Sequence, residues 1–331
     1  MKAIIPVAGE GTRLRPHTHT TPKVLIHVAG KPILGHILER LIEVGVDEVV
    51  LIVGYRGQQV TDYVTGHYNL KVHVVRQEKL LGLGHAIYLA RDYLTGGPGL
   101  IVLGDTVFEC SFKGVLSGGV CSIGVKEVED PRRFGVVVVK EGFITDLIEK
   151  PDPPPSNLAI VGLYFIQDTA VLRAALEKLI IEQDRRTKGE YQLTDALAIM
   201  LRQGVAMTTF PVEGWYDCGK PETLLETNRA LLTTKSRLVP VEGCIIREPV
   251  YISDGVTLVD SIIGPYVSIA EGSQIEQSII EDSIINRNST VRRAALKGSL
   301  LGDSSVVEGS FQSLNVGDSA QIRFGESPAE I

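Results

Sequence analysis

The stretch Val7-Ala8-Gly9-Glu10-Gly11-Thr12-Arg13-Leu14-Arg15-Pro16, running on to Pro22-Lys23, combines small residues with fixed positive charge. Ala8, Gly9, Gly11 and Thr12 leave the backbone free to turn its N–H groups toward a phosphate or a base. Arg13 and Lys23 supply cations suited to the charge that develops on a leaving phosphate. The stretch is not a Walker A loop, because no G-x-x-x-x-G-K-[ST] occurs in the chain. It is not a dinucleotide fingerprint either, because Leu14 stands at the third glycine position. Asp105 and Asp217 each follow an apolar or aromatic run and offer hard oxygen donors for a divalent cation. The primary amide of Gln77 presents a donor and an acceptor together, which matches the N3–H and O4 edge of uracil or thymine. Glu78, one residue on, would suit guanine instead. His17 and His19, two apart on a loop without a nearby cysteine, make a poor metal site.

Such residues need strand ends that face one another. Up to about residue 230 short aliphatic runs alternate with helical patterns: strands are predicted at 3–7, 48–53, 71–75 and 100–103, and helices at 33–44, 58–64 and 85–94. This alternation predicts an α/β domain with a largely parallel, Rossmann-like sheet. Strand-like runs from Cys121 to Ile166 predict mixed or antiparallel additions, and helices return at 170–182, 193–202 and 222–232. Beyond about residue 236 the period changes. Aligning residues 242–258, 259–275, 276–292 and 293–309 gives the columns Ile245/Ile262/Ile279/Leu296 and Val250/Val267/Ile284/Leu301, each with a spacing of 17. Aliphatics also recur every six residues, as in Ile246/Ile252/Leu258. The pattern predicts a β-solenoid of three short strands per turn, with Gly255 and Gly272 at corners. The chain therefore divides into residues 1–235 and 236–331.

Composition agrees with two domains. The 331 residues are 44% hydrophobic and 22% charged, ordinary for a soluble protein with a proper core. Net charge of −7 argues against a nucleic-acid or acidic-membrane binder, while leaving room for a small basic pocket. No apolar run approaches a membrane span, and Pro6, Gly9 and Glu10 interrupt the N-terminus too early for a signal sequence. Four scattered cysteines without a C-x-x-C pair predict reduced thiols in the cytoplasm.

The segment G-x-G-T-R-L-x-P, then Pro22-Lys23 and Lys31-Pro32, resembles the opening signature of the sugar nucleotidyltransferases. Further matches follow in order. Gln77-x4-Gly82-Leu83-Gly84-His85-Ala86 resembles the family's base-reading segment, with the spacing to Gly82 favouring Gln77 over Glu78. Val102-Leu103-Gly104-Asp105 and Trp215-Tyr216-Asp217-Cys218-Gly219 resemble its two metal-binding strands. Phe134-Gly135-Val136, Glu149-Lys150-Pro151 and Asn157 through Gly162-Leu163-Tyr164 resemble its sugar pocket. With a tail ending in Leu314-Asn315-Val316-Gly317-Asp318, the chain is most similar to the long thymidylyltransferases of that family. The resemblance implies that the solenoid is a left-handed parallel β-helix.

It also implies a reaction: a sugar 1-phosphate oxygen attacks the α-phosphorus of a nucleoside triphosphate and pyrophosphate departs. The nucleophile is already an anion, so alignment and charge neutralisation carry the catalysis. The implied cofactor is Mg²⁺ on Asp105 and Asp217. Arg13 falls to the β/γ-phosphates, Lys23 to the α-phosphate, and Lys150 to the sugar phosphate. Glu149 suits two sugar hydroxyls, while Gly135 and Ile160 offer backbone groups. Lys188 stands where these enzymes usually carry arginine, keeping the charge without the planar fork. The expected substrates are dTTP and glucose 1-phosphate; UTP, or GTP with mannose 1-phosphate, are the alternatives, and a non-catalytic nucleotide-sugar-binding subunit is a third reading. All seven histidines lie at or before His85, so the solenoid lacks the base that sugar acetylation usually needs. Its flat aliphatic faces predict a homo-oligomer.

Overall fold

The computed structural model describes residues 1–184, 186–237 and 240–310. The tail motif at 314–318 lies outside them. The α/β part opens with β1 (Lys2–Val7), α1 (Ile33–Glu43), β2 (Glu48–Val53), α2 (Gly57–His67), β3 (Lys71–Arg76), α3 (Leu83–Leu89) and β4 (Gly99–Val102). The ribbon strand β5 (Thr106–Glu109) precedes β6 (Cys121–Glu127), β7 (Gly135–Lys140), β8 (Phe143–Glu149) and β9 (Leu158–Ile166). There follow α4 (Thr169–Glu177), α5 (Leu193–Arg202), β10 (Met207–Pro211), β11 (Gly214–Asp217) and α6 (Pro221–Lys235). The main sheet runs β8-β7-β9-β4-β1-β2-β3, with β6 on β9 and β10 on β6.

Strands β4, β1, β2 and β3 are parallel, and β9 runs antiparallel to β4, β6 and β7. The expected mixed sheet is thus present. Its central strands carry continuous aliphatic runs because both faces are covered; Ile5, Leu51 and Ile52 are fully buried. β5 and β11 stand apart as a two-stranded antiparallel ribbon.

Downstream, short strands stack as three parallel four-stranded sheets, the arrangement of a left-handed β-helix. The register corrects the expected constant spacing. Ile245 faces Ile262 and Ile262 faces Ile279, 17 apart, but Ile279 faces Ala295 and Ser268 faces Ile284, both 16 apart. Corners containing Pro249 and Pro265 hold one residue more than the corresponding corner at Asp282, so the helix tightens after its second coil. The expected columns shift accordingly. Ile263 and Ile280 fill the interior, while Ile245 and Ile279 face outward, 55% and 47% exposed. Ile284 leaves the solenoid interior and joins the core of the α/β part.

The two parts are joined by a polar and apolar seam. Asn228 of α6 is fully buried; its Oδ1 accepts from Ala29 N–H (2.9 Å) and Ser268 Oγ–H (2.6 Å), and its Nδ2 donates to Tyr266 O (3.1 Å). The Tyr251 ring lies against Gly30, where an added Cβ would come within 2.3 Å of it. One histidine completes the seam and a second lies behind it, within the α/β part. Arg287 donates to His27 Nε2 (2.8 Å), and Lys235 donates to His36 Nδ1 (3.0 Å) while His36 Nε2–H donates to Val28 O (2.8 Å). Burial first, and these neighbouring cations second, push both imidazoles down to about 3.

Candidate active site

The loop after β1 is anchored by Leu14, fully buried, whose N–H donates to Gly11 O (2.9 Å). Gly11 has φ +64°, and a Cβ there would lie 2.9 Å from Lys23 Cβ and 3.0 Å from Thr18 Cγ2. Glycine is therefore what lets the Lys23 stem run against the loop. Lys23 is 6% exposed, and its Nζ donates to Asp105 Oδ2 at 2.7 Å. Arg13, exposed by contrast, reaches the buried Gly219; a Cβ at Gly219 would sit 2.8 Å from Asp217 Oδ1 and 3.3 Å from Arg13 Nη2.

The ribbon brings the two aspartates together. Thr106 faces Asp217 across β5 and β11, and Cys218 N–H donates to Asp105 O (3.3 Å). Residues more than 100 positions apart thus present carboxylates at one end of one ribbon. Carboxylates carried on adjacent strand ends suit a magnesium-like cation, which commonly takes one or two protein carboxylates and completes its shell with substrate phosphates and water. Burial pushes the Cys218 thiol up to about 12, with Asp105 and Asp217 adding to the effect, so no thiolate nucleophile competes here.

A cavity of about 600 Å³ opens above Lys23 and Asp105; Asp217 is not part of its lining. Of the predicted residues, Ala8, Gly9, Arg13, Lys23, Gln77, Gly82, Asp105 and Lys150 line it. Gly11 shapes the loop from behind, and the Thr12 side is exposed. Gln77 is 7% exposed at the end of β3, its N–H donating to Val53 O (2.8 Å). Glu78 is exposed and lines only an adjoining hollow of about 270 Å³. Gly82 (φ +106°) must be glycine, since a Cβ would lie 2.6 Å from Tyr191 O. That close approach ties the loop to the segment before α5, through Gly84 N–H on Tyr191 O (2.8 Å) and Tyr191 N–H on Leu81 O (2.9 Å).

The predicted sugar residues gather beside the cavity. Glu149 faces Gly135 across β8 and β7. A Cβ on Gly135 would meet Glu149 Oε2, Ile160 Cδ1 and Thr194 Oγ1, each at 3.0 Å. Thr194 Oγ–H donates to Glu149 Oε2 (2.7 Å), and Lys150 Nζ lies 3.5 Å from Glu149 Oε1. Lys150 adopts φ +45°, a left-handed backbone uncommon for a non-glycine residue. Phe134 packs edge-on against Trp215 at 4.7 Å and links this corner to the Asp217 strand.

Lys188 is not gathered in. It is exposed on the 187–190 turn and lines no part of the cavity, whereas its neighbour Glu190 does, held by Gln192 Nε2–H (3.1 Å). Sequence reasoning missed Thr194, Glu190 and Leu83 as site residues. Thr194 and Glu190 follow Lys188 closely in sequence, but only the fold shows which of them meets the carboxylate and which meets the opening.

A glycine-rich loop, buried and exposed cations and a carboxylate around one cavity are groups suited to transfer of a phosphoryl-linked group. Comparison with known proteins gives the class directly: the profile described as "Nucleotidyl transferase" matches residues 2–234. The low-salt glycan biosynthesis nucleotidyltransferase Agl11 of Haloferax volcanii is 34% identical over 98% of this chain and 100% of its own length. A glucose-1-phosphate thymidylyltransferase of Streptomyces griseus is 31% identical over 91% of this chain and 92% of its own. Among solved structures, UDP-glucose pyrophosphorylase complexed with UDP-glucose superposes with a TM-score of 0.60 at 27% identity, over 70% of this chain and 98% of that one.

The chain belongs to the nucleotidyl transferase family. It is an enzyme that joins a nucleotide to a sugar 1-phosphate, and the reading as a non-catalytic subunit is set aside. Enzymes of this family use a divalent metal. Among the described residues no helix is long and apolar enough to cross a membrane.

Proposed function

We propose that this enzyme condenses dTTP with glucose 1-phosphate, releasing pyrophosphate. The observation that carries the pyrimidine choice is Gln77, buried at the cavity wall with a side-chain amide that no described residue engages. Its acceptor and donor can pair with the N3–H and O4 of thymine. The second reading keeps the reaction with UTP, supported by the likeness to UDP-glucose pyrophosphorylase.

In this reading Ala8, Gly9, Gly11 and Thr12 turn the loop around the triphosphate, and Arg13 neutralises the leaving β/γ-phosphates. Lys23 serves the α-phosphate and Lys150 the incoming sugar phosphate. Glu149, fixed by Thr194, accepts hydrogen bonds from adjacent sugar hydroxyls, with Gly135 and Ile160 supplying backbone groups. Lys188 adds charge from the turn. Asp105 and Asp217 would hold Mg²⁺, which when bound neutralises phosphate charge and fixes its geometry. The sugar phosphate oxygen forms the new P–O bond as the bond to pyrophosphate breaks; no proton need move. We divide the chain at residue 235 into this catalytic part and the solenoid. We assign the solenoid to homo-oligomer formation and the enzyme to the cytoplasm, where its four free thiols stay reduced.

Pyrophosphate release across dTTP, UTP, GTP, ATP and CTP with several sugar 1-phosphates tests the reading. Highest kcat/KM with dTTP and glucose 1-phosphate is the expected result, and a preference for GTP would refute the use of Gln77.

A further inference from the structure

Two residues with separate duties in the reaction are bonded to each other in the ligand-free fold. The ammonium of Lys23 lies 2.7 Å from Asp105 Oδ2, on the carboxylate that would hold the divalent cation. The lysine cannot easily withdraw. Its side chain is 7% exposed, its Cβ lies within 2.9 Å of the place where a Cβ on Gly11 would stand, and Thr18 crowds the same spot. Asp105 is the looser partner, with a side chain 43% exposed. A dication approaching Asp105 therefore meets a fixed positive charge at contact range, and the two repel.

We propose that Lys23 is a latch that keeps the divalent metal off Asp105 until the triphosphate arrives. The phosphate oxygens of the nucleotide give the ammonium a second acceptor and offset its charge, so that Asp105, the looser partner, can turn to the cation. The metal then enters with the nucleotide or after it, never ahead of it. The lysine so acts on the timing of metal entry as well as on the α-phosphate. The inference rests on the phosphate and metal roles proposed above.

The test is Mn²⁺ binding to the full chain, followed by the electron paramagnetic resonance signal of the free ion. It is run without nucleotide and with a non-hydrolysable α,β-methylene analogue of dTTP. Wild-type protein is expected to bind Mn²⁺ about tenfold more tightly, or better, when the analogue is present. Lys23→Met, which keeps the stem and removes the charge, should bind Mn²⁺ without nucleotide about tenfold more tightly than wild type. Lys23→Met/Asp105→Asn should lose that gain, and Lys23→Arg, still charged, should exclude the ion as wild type does. Circular dichroism melts establish that each variant is folded. Unchanged Mn²⁺ affinity in folded Lys23→Met overturns the latch, as does tight binding to nucleotide-free wild type that Asp105→Asn abolishes. Turnover of wild type is measured in parallel. A failed latch with intact pyrophosphate release leaves the proposed reaction standing, whereas absent release with every triphosphate removes the reaction itself.

Discussion

The two halves of this chain solve different problems with similar raw material. The α/β part uses loops at strand ends to crowd unlike residues together, such as Lys23 on Asp105 and Thr194 on Glu149. The solenoid repeats one unit, so like residues stack on like. Ser278 N–H donates to Ser261 Oγ (3.1 Å), and Ala294 N–H to Ser278 Oγ (3.2 Å). Ser289 N–H donates to Ser273 Oγ (3.2 Å), and Ser305 N–H to Ser289 Oγ (3.3 Å). Such ladders satisfy corner backbone groups that burial would otherwise leave unpaired. Charge held at a convergent point makes chemistry, whereas periodic satisfaction makes a rigid support.

Changes in the two halves should therefore separate cleanly. The largest effect on turnover is expected for Arg13→Ala, a fall in kcat of about 10²–10³ with little change in melting temperature, since the side chain is exposed and leaves no hole. Equal kcat in variant and wild type would remove Arg13 from the leaving group. Ile280→Ala should do the reverse: loss of a fully buried side chain from the solenoid interior costs about 2–5 kcal/mol, read in urea unfolding, with kcat per folded molecule preserved. A proportional loss of kcat would show that the support is part of the catalytic machinery.

The seam, with the helix contact behind it, should respond to pH. His27 and His36 have folded-state values of about 3, below the unfolded value near 6.5. The unfolded chain therefore binds more protons between those values, and stability falls as pH drops below about 6.5, by up to about 1.4 kcal/mol per pH unit for each histidine. Urea midpoints at pH 7.5 and 5 measure this, and replacement of both histidines by glutamine should flatten the slope. The smallest effect is on the sugar side. Glu149→Gln keeps the shape and one acceptor, so KM for the sugar phosphate should rise about tenfold with a lesser change in kcat. A KM rise for the triphosphate instead would move Glu149 to the other substrate.

The same contrast explains what the sequence could disclose. Strands β1, β2 and β3 were legible because buried parallel strands read as unbroken aliphatic runs. The loop, Asp105 and Gln77, which share one cavity, each sit in a distinctive run of residue types that the sequence displays. Contacts across the fold were not: that Thr194 holds Glu149, or that Asn228 ties α6 to Ala29 and Ser268, depends on elements far apart in sequence. The Ala29-Gly30 turn, directly before the Lys31-Pro32 of the opening signature, is a joint with the solenoid. In the solenoid, the aliphatic alignment read a constant 17 because adjacent isoleucines such as Ile279 and Ile280 disguise a slip of one residue. The serines betray the shorter step: 273, 289 and 305 are 16 apart, as are 283 and 299. A polar residue with one permitted geometry marks register more sharply than an aliphatic that packs either way.

We place Asp105, at the shared end of the ribbon, in the machinery of nucleotidyl transfer. Pyrophosphate release from dTTP and glucose 1-phosphate with Mg²⁺, compared between wild type and Asp105→Asn, tests it most directly. A rate about 10²-fold lower or more is expected in the variant, with the melting temperature held. Near-normal release by Asp105→Asn would contradict it.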